Sequence, residues 1–124
     1  LRAEKKLLGA LLKYKIRLIC LAGFMKILSK KFILKFEGKI LNIHPSLLPN
    51  YKGLNTHRRV IENKEKFTGC TVHLVNSRLD SGKIILQKKI KILRKDNENS
   101  LAKKVLKLEH QLYPRAIVKF LSSR

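Results

Sequence analysis

An α/β fold is predicted for this 124-residue chain, and three observations carry that prediction. A segment with apolar residues at helical spacing leads straight into a short apolar run. Two later segments alternate apolar and polar residues as strands do, and the last long segment returns to helical spacing. An apolar share of 44% supports one core of modest size, and the length leaves room for one domain, residues 1–124.

The elements follow in order. Leu7, Leu8, Leu11 and Leu12 share one face of an opening helix, with Glu4, Lys5, Lys6 and Lys13 around them. Ile16 to Ala22 is an apolar run closed by Gly23, which fits a strand covered on both faces in a parallel sheet. Ser29 is placed to cap a helix through Phe36. Lys39 to His44 reads as a strand running into a loop restrained by Pro45 and Pro49. Thr56 to Glu62 reads as a short helix after the Gly53-Leu-Asn55 turn, and Gly69 to Asn76 as a strand. Ile84 to Leu93 is a further strand with one face to solvent, since Ile90 and Ile92 alternate with Lys89, Lys91 and Arg94. Asp96 to Ser100 supplies capping residues, and Leu101, Val105, Leu108 and Leu112 mark one face of a closing helix. Pro114 lacks the N–H that bonds four residues back, so it is expected to kink or split that helix.

A formal charge of +21 would draw polyanions, but the basic residues are spread through every segment and form no block. With aromatic residues at 6% and none in a stacking array, the charge reads as a solvated surface and no specific nucleic-acid partner is expected. Cys20 and Cys70 lie in apolar runs with no second ligand at metal spacing; they read as free, buried thiols in a reducing, cytoplasmic setting, and no metal is implied. No stretch is long and apolar enough to span a bilayer, so no membrane partner is expected.

The chemistry-bearing residues are few. Alternation along the strand puts Asn42 and His44 on one face, at the strand's end, with Leu41 and Ile43 on the other. An amide N–H can donate to a developing oxyanion, and an imidazole beside it can shuttle a proton. Asp80, in Leu79-Asp-Ser-Gly82, is the third group. Asn-x-His and Asp-Ser-Gly are each common; their weight comes from company with Leu21-Ala-Gly-Phe-Met-Lys-Ile-Leu-Ser29 and Gly53-Leu-Asn-Thr-His57, in this order. His57 reads as a polar residue at a helix start, and His73 as a hydrogen-bonded sheet histidine.

On these motifs the chain resembles the folate-dependent formyltransferases along its whole length, and within them the phosphoribosylglycinamide formyltransferase group of purine biosynthesis. The resemblance implies a Rossmann-like formyltransferase fold and transfer of a formyl group from 10-formyltetrahydrofolate to the amine of glycinamide ribonucleotide. It implies catalysis by Asn42, His44 and Asp80, with Asp80 holding the imidazole charged and oriented. Folate contacts are implied for Phe24, Met25, Lys26, Ile27 and Leu28, for Asn42, and for Asn76, Ser77, Arg78, Leu79 and Asp80; Glu109, in a Glu-His pair before Tyr113-Pro114, is implied to hold ribose hydroxyls. Members of the family begin with strands and a Gly-rich loop for the nucleotide phosphate. That segment is not found here, so a partial domain, incomplete at its N-terminus, is expected. Alternatives are a relative with the same three residues (methionyl-tRNA formyltransferase or formyltetrahydrofolate hydrolase), an inactive remnant, or a basic nucleic-acid-binding module. The Gly53–His57 loop resembles the glycinamide-type enzymes.

Overall fold

A computed structural model describes residues 2–13, 17–22 and 29–123. The elements run α1 (Arg2–Lys13), β1 (Ile19–Leu21), α2 (Lys30–Lys35), β2 (Ile40–His44), α3 (Thr56–Glu62), β3 (Phe67–Leu74), β4 (Ile84–Lys91) and α4 (Glu98–Ser122). The strands form one sheet in the order β1-β2-β3-β4. It is mixed: β1 pairs parallel to β2, while β2 and β3, and β3 and β4, pair antiparallel.

Alternation along β2 and β3 divides the core. Leu41, Ile43, Cys70 and Val72 turn towards α4, where they meet Leu101, Val105, Leu112, Ala116 and Phe120. Ile40 turns the other way and packs with Phe32, Ile33 and Phe36 from α2 and its end, joined by Leu8 and Leu11 of α1. Helices therefore cover both faces of the sheet, which is the layering of an α/β domain. Local signals set the helix ends as expected. The Ser29 side chain accepts from the Phe32 N–H at 3.1 Å, and Asn97 and Ser100 form a reciprocal capping box at the start of α4.

Several expectations are corrected. Among the described residues β1 is an edge strand, and its residues are half-buried or exposed where full burial was expected: Cys20 is exposed, while Cys70 is buried. Leu8 and Leu11 of α1 pack, but Leu7 and Leu12 stand 44% and 53% exposed, because α1 touches the core along a narrow line. The third strand starts at Phe67 and ends at Leu74, two residues earlier at each end than its sequence pattern indicates. Pro114 does not split the closing helix, which runs unbroken through it. Its missing bond costs about 3 kcal/mol. The buried residues Leu101, Val105 and Leu112 before it and Ala116 and Phe120 after it dock on one core and hold the helix together across the proline.

Candidate active site

The polar face of the sheet is built from the same strands as the core. Antiparallel register sets His73 opposite Asn42 and Thr71 opposite His44. Thr71 is fully buried and staples the loop that follows His44. Its hydroxyl donates to the Ser46 carbonyl at 2.7 Å and accepts from the Leu48 N–H at 3.1 Å and from the Gln87 amide at 2.9 Å. Gln87 of β4 also donates to the Leu48 carbonyl at 2.9 Å. The loop that follows His44 is thus fastened to β3 and β4.

Asp80 arrives from the β3–β4 connection and sits between two imidazoles. Its Oδ2 lies 3.5 Å from His44 Nδ1 and its Oδ1 3.8 Å from His73 Nε2; the side chains of His44 and Asp80 are each 7% exposed and that of His73 3%. Asp80 has a left-handed backbone, φ +48°. That conformation costs roughly 1–2 kcal/mol for a residue with a Cβ. The Gly53 N–H donates to Asp80 Oδ2 at 2.8 Å, and a bond to a charged acceptor contributes about 1.5–3 kcal/mol, enough to offset the strain. Gly82 is needed beside it, since a Cβ there would collide with the Leu74 carbonyl oxygen. Lys52 Nζ donates to Ser81 Oγ at 2.9 Å and ties the same two loops together. Leu48, Pro49, Lys52, Asp80, Ser81, Gly82 and Ile84 line a cleft of about 130 Å³.

The hydrogen bonds assign work to individual ring nitrogens. His44 Nε2 lies 2.8 Å from the Tyr51 carbonyl oxygen, and a carbonyl only accepts, so Nε2 carries a proton and anchors the ring. Nδ1 is left as the nitrogen turned to Asp80. Burial lowers the pKa of His73 below the ordinary histidine range, and His44 adds to this; the Leu74 carbonyl and Asp80 oppose it. Asn42 Nδ2 is 3.5 Å from His73 Nε2, and Asn42 Oδ1 is buried with no partner among the described residues. Asn42, His44 and Asp80 are therefore brought to one end of β2, linked through His73. His73, a hydrogen-bonded sheet histidine by its sequence pattern, also faces this group, and the alternation of β3 that puts it on the face of Thr71 is the signal for it.

The other expected residues lie further out. Asn76, Ser77, Arg78 and Leu79 form an exposed turn, in which Asn76 Oδ1 accepts from the Arg78 N–H at 2.9 Å. Phe24, Met25, Lys26, Ile27 and Leu28 lie outside the described residues. Glu109 is half-buried on α4 and acts electrostatically on Cys70, whose side chain is on the core face, so it is not part of the Asn42 group. It makes no hydrogen bond or ion pair among the described residues, and burial pushes its carboxyl up to about 7. Burial also lowers the pKa of His57, with Glu98 opposing and His44 adding to the effect, and its Nδ1 is buried without a partner among the described residues.

A family model described as formyl transferase matches residues 1–117. The chain belongs to the formyl transferase family. It is 50% identical over 107 residues to the phosphoribosylglycinamide formyltransferase of Haemophilus influenzae, covering 86% of this chain and 50% of that protein. It is 49% identical over 105 residues to the trifunctional purine biosynthetic protein adenosine-3 of Gallus gallus, covering 85% of this chain and 10% of that protein. A solved phosphoribosylglycinamide formyltransferase from Brucella melitensis is similar at a TM-score of 0.89 and 50% identity, covering 94% of this chain and 60% of that one. The chain spans about half the length of the bacterial relatives it matches. Its α/β formyltransferase fold is the one the motifs led us to expect.

Proposed function

We propose that this chain carries the formyl-transfer site of a phosphoribosylglycinamide formyltransferase, using 10-formyltetrahydrofolate as donor and the amine of glycinamide ribonucleotide as acceptor, in the cytoplasm. The observation that carries this reading is the Asp80 carboxylate held between His44 and His73, with the Asn42 amide at the same strand end. In the reaction the amine nitrogen bonds to the formyl carbon, the bond from that carbon to the folate nitrogen breaks, and a proton passes from the amine to that nitrogen. Asn42 donates an N–H to the oxygen on which charge develops, and buried donors of this kind act strongly because no water competes. His44 is fixed through Nε2 and moves the proton at Nδ1; Asp80, facing that nitrogen, orients the ring.

Binding is divided between the two sides of the sheet. The exposed Asn76–Leu79 turn beside Asp80 supplies folate contacts, and Phe24 to Leu28 supply others. Glu109, a half-buried carboxyl with no partner among the described residues, accepts from ribose hydroxyls, and a ligand's O–H groups there would relieve its desolvation. No metal and no specific nucleic acid takes part in this reading. The test is a competition assay with the natural full-length protein, offering glycinamide ribonucleotide and charged initiator tRNA together. Formylation of the nucleotide alone is expected. Preference for the tRNA would overturn the substrate assignment, and turnover of the folate without either acceptor would make the protein a hydrolase.

A further inference from the structure

We propose that His73 is a positioning residue, whose ring holds the Asn42 carboxamide so that one amide N–H is turned to the oxygen that gains charge. This deepens the formyl-transfer reading and rests on it. The argument starts from the partner at the far side of the ring. His73 Nδ1 lies 3.0 Å from the Leu74 carbonyl oxygen, which has only lone pairs to offer, so the proton of the neutral ring is on Nδ1. Nε2 is then an acceptor. The carboxamide end facing it at 3.5 Å must be the NH₂ of Asn42, because the carbonyl end would set lone pair against lone pair. With that orientation chosen, one N–H is engaged by His73 and the second is free.

The surroundings hold the ring in this state. His73 has a side chain only 3% exposed, and its register opposite Asn42 is set by the β2–β3 ladder. The charged and titratable groups facing it are Asp80, from the β3–β4 connection, and His44, from β2. Asp80 Oδ1 is 3.8 Å from Nε2, beyond a hydrogen bond, so the carboxylate does not compete for that nitrogen with Asn42. If Nε2 became protonated it would set donor against donor. The amide would turn its oxygen to the ring, and the N–H arrangement in the site would be lost. The 3.5 Å separation is long, as such bonds often are before substrates close the site.

The experiment compares wild type, His73→Leu and His73→Gln in the natural full-length protein. Glutamine places a non-titrating amide oxygen near the position of Nε2 and keeps an acceptor for Asn42; leucine keeps bulk and removes it. His73→Leu is expected to lower kcat about 100-fold with KM for the formyl donor within about threefold, as for a misplaced group, and His73→Gln to recover most of kcat. Recovery with glutamine separates positioning from packing. In parallel, nitrogen-15 NMR of the histidine rings in wild type should find His73 as the Nδ1–H tautomer at neutral pH. Equal loss in both variants, wild-type kcat in His73→Leu, or an Nε2–H tautomer would each overturn the proposal. If His73→Leu fails to fold, the glutamine variant and the tautomer decide. Should wild type transfer no formyl group to glycinamide ribonucleotide, the functional reading fails. The positioning claim is then decided by the tautomer and by whether the Asn42 side-chain amide resonances shift in His73→Leu but hold in His73→Gln.

Discussion

The two faces of β2 and β3 are made by one stretch of chain and behave in opposite ways. Leu41, Ile43, Cys70 and Val72 meet α4 and are 0–4% exposed, packed mainly among apolar neighbours. Asn42, His44, Thr71 and His73 lie one residue out of step; His44, Thr71 and His73 are buried and Asn42 is half-buried. There the satisfaction is uneven. Thr71 has every partner it needs, Asn42 Oδ1 has none among the described residues, and Asp80 keeps a left-handed backbone. Buried polar groups without partners cost about 1–3 kcal/mol each. A protein tolerates such groups where strain and unmet bonding serve a ligand, with the apolar face providing the stability that holds them.

Substitutions on each face sharpen this contrast. The largest effect is expected for Asp80→Asn, which keeps shape but removes the charge facing His44 Nδ1. Turnover should fall about three to four powers of ten, the scale seen when a histidine's orienting carboxylate becomes an amide. Single-turnover kinetics within tenfold of wild type would remove Asp80 from the mechanism. Next is Asn42→Ala, expected to lose about two to three powers of ten in kcat while thermal unfolding changes little. A large drop in Tm instead would place Asn42 on the structural side of the comparison.

On the core face the outcome should invert. Leu101→Ala, at a fully buried position of α4 in the core, is expected to cost roughly 2–5 kcal/mol in denaturant titration and leave kcat per folded molecule unchanged. Loss of turnover in the folded fraction would show the two faces to be coupled.

Glu109 gives a pH-dependent effect. Burial raises its carboxyl to about 7 in the folded protein, above the ordinary range of the unfolded chain. Between those values the folded state binds more protons than the unfolded one, so stability falls as pH rises through that window. Glu109→Gln should therefore raise Tm at pH 8 and leave it unaltered at pH 4; a gain of roughly 4 °C corresponds to about 1 kcal/mol, reduced from a buried-site value by the solvent that reaches the group. The same variant should bind glycinamide ribonucleotide more weakly. Equal melting curves at pH 8 would mean the carboxyl is not desolvated. The smallest effect concerns the +21 charge. Any binding to DNA should be sequence-blind and lost at moderate salt, which a fluorescence titration at two ionic strengths would check.

Much of the fold was legible because its signals are local. The alternation in Ile40 to His44, the helical spacing from Leu101 to Leu112, and the caps at Ser29 and Asn97 depend on residues a few positions apart. α3 occupies the Thr56–Glu62 span that its pattern indicates. Local signals failed where covering depends on another element. Cys20 looked buried because its neighbours are apolar, yet an edge strand leaves it open; Leu7 and Leu12 looked packed because they share a face with Leu8 and Leu11. Pro114 looked like a break because propensity counts one lost bond and not the docked face on either side of it.

For the site, the sequence determined that Asn42 and His44 share a face at a strand's end and that Asp80 follows a turn, because a period of two and turn chemistry are properties of the chain itself. Only the tertiary structure decided that His73 stands across from Asn42, that the Tyr51 carbonyl takes His44 Nε2 and leaves Nδ1 to Asp80, and that Glu109 lies on the core side. Those relations follow from the register of strands 31 residues apart and from loops closing on one another, as in the Gly53 bond to Asp80, 27 residues on. A register shift of one residue would leave the composition and every local pattern intact and still turn His73 to the core.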